Sequence, residues 1–149
     1  TAGIRRKSRI EDQIEKYSQI RSVAAIERAD VCVILIDATV GVTEQDTKVA
    51  GFAHNSGKAS IIAINKWDLV EKETGTLERY ERQIREQFSF MDYAPVLFIS
   101  AKTGQRTGKL FELINEVYEQ AGRRLTTGLL NDLISEAVAR PRPKPSTGR

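Results

Sequence analysis

The sequence predicts an α/β fold, a parallel sheet covered by helices. Three observations carry this. Short runs of branched apolar residues, VCVILI from Val31, ASIIAI from Ala59 and APVLFI from Ala94, alternate with stretches whose apolar residues recur every three or four positions. The connections between them are short, as in sheets built by strand–helix–strand crossovers. Each apolar run also ends abruptly in a polar loop: DATVG, NKWDLV and SAKTG.

Residues 10–29, IEDQIEKYSQIRSVAAIERA, open the helical pattern, with Ile14, Tyr17, Ile20 or Arg21, Ala24 and Ala25 at helical steps. Asp30 breaks it, and six apolar residues follow as a strand expected to be buried on both faces. GVTEQD turns into a second helix with Thr43 as N-cap, closed by Asn55, Ser56 and Gly57. ASIIAI is the next buried strand. Residues 76–90 are helical, with Leu77, Tyr80, Ile84 and Phe88 along one face. APVLFI is the third strand. Residues 109–125 form an amphipathic helix whose buried side is Leu110, Leu113, Ile114, Val117 and Tyr118. After Arg124 the composition changes. One short helix at 129–138 precedes a Pro-rich basic run, so a boundary is expected near Leu125, with the start of a second module beyond it. There is no internal repeat.

The totals suit one domain with a core, or one domain and a fragment of another: 149 residues, 40% hydrophobic. A net charge of +3 is a weak sign of nucleic-acid binding. The single cysteine, Cys32, excludes an internal disulfide and reads as a small buried residue rather than a nucleophile. No apolar run reaches membrane-span length, and the start carries no signal-peptide core, so a cytoplasmic location and no membrane partner are expected. TAGIRRKS begins without Met, which reads as a piece of something longer. His54, the only histidine, reads as a surface or capping residue. With one His and one Cys far apart, no metal site of protein side chains is expected.

Ligands of open parallel sheets bind beyond the carboxyl ends of the strands. Asp37 there either caps a turn, the plainer reading, or orients part of a site. NKWD is more specific. A carboxylate such as Asp68 can accept two parallel hydrogen bonds from adjacent N–H groups, which guanine offers on one edge and adenine does not. The Asn65 amide can touch a ring nitrogen and hold a neighbouring loop. The methylene stem of Lys66 can cover a flat base while its charge stays wet. In the third loop, Ala101 is small enough to bring its backbone N–H to a base oxygen, and Ser100 can brace the Asp68 loop. Solvated loop residues, or an ordinary Ser/Thr/Gly turn, are the plain alternatives. They leave the pairing of both loops, in this order, without an account.

NKWD and SAK on successive strands resemble the two guanine-recognition motifs of the translation-factor-like GTPases. TAGIRRKSRIEDQIEKYS, EQDTKVAGFAH, INKWDLVEK, YAPVLFISAKTGQR and LLNDLISEAVARPRP more closely resemble the Der (EngA) family of ribosome-biogenesis GTPases, in its second GTPase domain and the start of its KH-like domain. That bacterial family carries tandem GTPase domains followed by a KH-like domain. The resemblance implies a P-loop NTPase-type fold. Residues 1–125 would be the C-terminal part of a GTPase domain, and 126–149 the start of a KH-like domain or a linker. It implies GTP/GDP as ligand, with Asn65 and Asp68 holding the guanine, Lys66 stacking on it, Ala101 giving its amide to the carbonyl oxygen, and Ser100 and Lys102 supporting the pocket. Thr1, Ala2 and Gly3 would be a switch segment, with the Gly3 N–H toward the γ-phosphate. Many GTPases place a catalytic Gln next; here the residue is Ile4, which cannot act as a base. Water activation would then come from elsewhere in the domain, from K+, or from a partner.

The phosphate half of such a site is missing from these residues. No G-x-x-x-x-G-K-[ST] occurs, and NSGKAS at Asn55 and RTGKL at Arg106 lack the spacing. The Mg2+ ligands would therefore lie upstream of Thr1, and these residues alone are expected to be inactive. Without the phosphate-loop strand beside it, the strand at 31–36 is expected to expose a long apolar edge. The implied role is GTP binding and hydrolysis in large ribosomal subunit assembly, with partners in the large subunit, its RNA, and the protein's own other GTPase and KH-like domains. The alternative is a guanine-nucleotide-sensing RNA- or ribosome-binding module with little hydrolysis. A tRNA-modification or iron-transport relative fits less well after Gly3 and beyond Leu125. Arg5, Arg6, Lys7 and Arg9 carry two readings, solvated surface or contact with RNA or an adjoining domain. The tail 140–149 reads as linker.

Overall fold

A strand buried on both faces must be apolar at every position and hydrogen-bonded along both edges. ASIIAI meets that demand and becomes the middle strand. The computed structural model describes residues 2–139, with side chains described from Arg9 onward apart from residues 124–126. The elements run α1 (Ala2–Arg28), β1 (Val31–Asp37), α2 (Glu44–Asn55), β2 (Ala59–Asn65), a 3-10 turn at Trp67–Leu69, α3 (Thr76–Gln87), a second 3-10 turn at Ser89–Met91, β3 (Val96–Phe98) and α4 (Thr107–Ala139). The sheet is parallel in the order β1-β2-β3, confirming the expected class. Pairing runs in register from Val31 opposite Ala59 to Asp37 opposite Asn65, so both strands end at the same level. β3 is short, but its hydrogen bonding continues from Pro95 O to Ile99 N.

The two faces of the sheet bury different partners. Ile34, Ile36, Ile62, Ile64 and Phe98 pack with Ala50 and Ala53 of α2, Ile84 of α3, and Phe88 and Met91 beyond it. On the other face Ala63, Leu97 and Ile99 pack against Leu110 and Leu113 of α4. β2 is buried on both sides as expected. β1 is not. Its burial alternates, leaving Val33 37% and Leu35 56% exposed. β1 stands at the sheet edge, and α4 covers the middle of the opposite face rather than these two side chains.

Three other expectations are corrected. α1 begins at Ala2 rather than near Ile10, and its periodic residues Ile14, Tyr17 and Ile20 stand exposed. Only its C-terminal end reaches the core, through Ile26. A helical stripe buries nothing without a facing surface, and among the described residues only the last turn of α1 has one. Tyr118, expected on the buried side of α4, is exposed. The separate helix at 129–138 is the continuation of α4, which runs unbroken through residue 125. Gly122 and Gly128 weaken a helix by only about 1 kcal/mol each, and no proline intervenes before Pro141.

Local chemistry sets the element ends. The Asp46 N–H donates to Thr43 Oγ1 at 3.2 Å, and the Thr43 N–H donates to Asp46 Oδ2 at 2.9 Å, a reciprocal capping box that starts α2. Gly57, with φ 68°, takes the chain out of α2. His54 does not cap. Its Nδ1 lies 2.9 Å from Tyr93 Oη, tying α2 to the segment before β3. Trp67, 3% exposed, packs against Phe98 at 4.6 Å and edge-on to Tyr80 at 5.2 Å between ring centroids. That wedge fastens the loop after β2 to the core.

Thr43→Ala is expected to lower unfolding free energy by about 1 kcal/mol, the usual cost of a lost cap, read by chemical denaturation. Trp67→Ala removes a fully packed ring and is expected to cost about 3–5 kcal/mol. Since Trp67 is the only tryptophan, circular dichroism is the probe for both.

Candidate functional site

In-register parallel pairing brings the loops after β1, β2 and β3 to one end of the sheet. They are stitched together there. The Ala38 N–H donates to Asn65 O at 2.9 Å, and the Trp67 N–H donates to Ile99 O at 3.1 Å. The Ala101 N–H donates to Asn65 Oδ1 at 3.0 Å. Lys66 Nζ donates to Asp37 Oδ2 at 2.7 Å.

The chain turns sharply where β2 ends. Lys66 adopts φ 63° and ψ 28°, the left-handed region. For a residue with a Cβ that costs roughly 1–2 kcal/mol. The turn lets Trp67 enter the core and places Asp68 in the 3-10 turn that follows. Asp68 is half-buried, and its carboxylate accepts no hydrogen bond from the described residues. The loop after β3 closes on itself. The Gly104 N–H donates to Ser100 O at 2.9 Å, Gly104 has φ 80°, and Arg106, with φ 57°, leads into α4.

Asn65, Lys66, Asp68, Ser100, Ala101 and Lys102 are therefore gathered at one sheet end, but two do other work than expected. Ser100 is fully buried, and its hydroxyl accepts from the Thr103 N–H at 3.2 Å within its own loop. The Asp68 loop is braced instead by the backbone bond from Trp67 to Ile99. The Ala101 N–H is engaged by Asn65, which holds the neighbouring loop as its amide allows. Lys102 is exposed. No described hydrogen bond joins Gly3 to these loops; its backbone lies in the first turn of α1. Thr1 and the tail 140–149 lie outside the described residues, as do the side chains of Ile4, Arg5, Arg6 and Lys7. Arg9 is exposed.

Sequence reasoning undervalued Asp37 and missed Tyr80. Asp37 Oδ1 accepts from Thr39 N at 2.9 Å and Thr39 Oγ1 at 2.6 Å, the turn-capping role, while Oδ2 takes Lys66. Asp37 and Asn65, the last residues of β1 and β2, fall opposite one another, a register that only the strand pairing sets. Tyr80 Oη donates to Ala38 O at 3.0 Å, bracing the loop after β1 from α3. The hydrogen bond from Lys66, helped by those from Thr39, holds the Asp37 carboxyl down at about 2. Cys32 is buried away from these loops, and burial pushes its thiol up. Among the described residues no three His, Cys, Asp or Glu side chains gather in a way that could hold a metal ion.

A carboxyl that ionises more easily folded than unfolded contributes above its ordinary value of 3.8 and loses that contribution as pH falls toward about 2. Acidification from neutrality to pH 5 is thus expected to leave the Lys66–Asp37 pair intact. A carbon-detected NMR titration should place the Asp37 midpoint well below 3.8, and Lys66→Met should return it toward that value.

Comparison with known proteins bears on the fold and the family. A family profile described as "Elongation factor Tu GTP binding domain" matches residues 15–120. GTPase Der of Ruminiclostridium cellulolyticum is 65% identical over all 149 residues, and GTPase Der of Acetivibrio thermocellus is 62% identical over the same span. The chain spans 34% of the length of each of these curated relatives. Among solved structures, Aquifex aeolicus Era bound to GDP.AlF4- matches with TM-score 0.52 and 26% identity, over 65% of this chain and 31% of that one. Era in complex with MgGDPNP and nucleotides 1506–1542 of 16S ribosomal RNA matches with the same TM-score and identity, over 65% of this chain and 30% of that one. A probable GTP-binding protein engB shares the fold at TM-score 0.54 and 23% identity, over 76% of this chain and 68% of that one. The chain belongs to the elongation factor Tu GTP-binding-domain family.

Proposed function

We propose that this chain supplies the guanine-recognition half of a GTP-binding and GTP-hydrolysing switch protein that acts in large ribosomal subunit assembly. The observation that carries the reading is the half-buried carboxylate of Asp68, which has no hydrogen-bond partner among the described residues and is held next to the Asn65–Ala101 clasp by the Trp67 wedge. A carboxylate in that setting can accept the adjacent ring and exocyclic N–H groups of guanine. Adenine would leave it facing no donor, so discrimination should be strong. The stem of Lys66 would cover the base, and the Ala101 N–H would be shared between Asn65 Oδ1 and the base carbonyl oxygen. Ser100 and Lys102 would complete the pocket from the third loop. The names of the Der relatives support GTPase activity, and the Era complex with ribosomal RNA supports a ribosomal partner.

Residues 1–125 would then be the C-terminal part of the GTPase domain, and 126–149 the start of a KH-like domain or linker that α4 enters without a break. Gly3 would offer its N–H to the γ-phosphate; its place in the first turn of α1 leaves that group without an intrahelical partner. Hydrolysis would be in-line attack of water on the γ-phosphate. Among the described residues, no helix is long and apolar enough to cross a membrane.

The test uses protein expressed from its complete gene. GDP is expected to bind on the order of 100-fold or more tighter than ADP, and Asp68→Ala should abolish most of that difference, by isothermal titration. Equal binding of GDP and ADP by the wild type rules the reading out. Phosphate release, measured with and without large ribosomal subunits, separates a switch enzyme from a module that only senses the nucleotide.

A further inference from the structure

The ends of β1 and β2 are joined by an ion pair, Asp37 with Lys66, that guanine recognition by Asp68 does not itself require. Lys66 is fixed at both ends. Its backbone is left-handed, which sets the direction of the Cα–Cβ bond, and its ammonium sits 2.7 Å from Asp37 Oδ2. Asp37 is in turn hydrogen-bonded through both carboxylate oxygens. It closes the in-register ladder opposite Asn65, and its second oxygen accepts from both the backbone and the hydroxyl of Thr39. A lysine stem held this way loses little further rotamer freedom when a flat ligand lies against it.

The pair is open to solvent, with side-chain exposures of 51% for Lys66 and 32% for Asp37. Such pairs contribute little to folding stability. Its consequence should therefore fall on ligand binding. We infer that Asp37 is a positioning residue for the nucleotide, holding the Lys66 stem as a preformed shelf beside the base that Asp68 reads. The inference rests on the guanine reading above and adds to it a residue that touches no part of the base.

The test measures release of a fluorescent GDP from protein expressed from its complete gene, in the wild type, Asp37→Asn, Lys66→Met and the double variant. Methionine keeps an apolar stem and removes the ammonium. Asp37→Asn is expected to speed release by about 2- to 12-fold, the range set by ordering one long side chain, with the melting temperature nearly unchanged. In the Lys66→Met background Asp37→Asn should add nothing, since its effect acts through the ammonium. The preference for GDP over inosine diphosphate, which reports the Asp68 contact, should persist in Asp37→Asn. Unchanged release, full additivity with Lys66→Met, or a fall in melting temperature that accounts for the faster release would overturn the inference. A wild type that does not distinguish GDP from ADP removes the guanine reading itself, a result separable from any behaviour of Asp37.

Discussion

The rest of the molecule depends on the in-register parallel pairing of β1 with β2. β2 is the strand whose side chains are buried on both faces and whose backbone is bonded on both edges. Its position sets the level at which its neighbours stop. Asp37 and Asn65 end opposite one another because the two strands have equal length and zero offset. A slip of one residue would turn Ile34 and Ile36 away from the core. It would also separate Asp37 from Lys66. The same hydrogen-bond ladder therefore specifies the hydrophobic layers and the spacing of the polar loops above them.

The loop after β2 shows how a buried strand can end in exposed, specific chemistry. Lys66 takes an unfavourable left-handed conformation, and the adjacent Trp67 offsets it by inserting between Phe98 and Tyr80. The turn leaves Asp68 half-buried with no hydrogen-bond donor among the described residues. Its oxygens keep some exposure to solvent, where water or a ligand can supply the donors. Arg106, the other described non-glycine residue with positive φ, lies at the exit of the loop after β3. Both strained positions thus flank the same sheet end, as strained backbone at functional sites often does.

The apolar surface of the chain is unevenly used. Val33 and Leu35 on β1, Ile14, Tyr17 and Ile20 on α1, and Leu129, Leu133 and Ile134 on α4 stand exposed, although the pattern of each segment is that of a buried face. Periodicity reports which residues share a face. It does not report whether a surface lies opposite. Within the described residues, α2 and α3 cover one side of the sheet and the first turns of α4 cover part of the other.

Much of the fold was legible in residue order. VCVILI, ASIIAI and the APVLFI run read as strands, Thr43 marked a helix start, and NKWD at the end of a buried run pointed to a carboxylate site. These features are local, set by side-chain branching, capping geometry and period, so the sequence determined them by itself. The exposure of Val33, Leu35 and Tyr118 was not legible, nor was the unbroken α4, because each depends on what packs alongside. Tertiary structure alone decided that Asp37 meets Lys66, that Ser100 serves its own loop while Ile99 braces Trp67, and that the Ala101 N–H rests on Asn65. The contacts between loops join residues about thirty positions or more apart, and only the pairing of strands brings them within hydrogen-bonding distance.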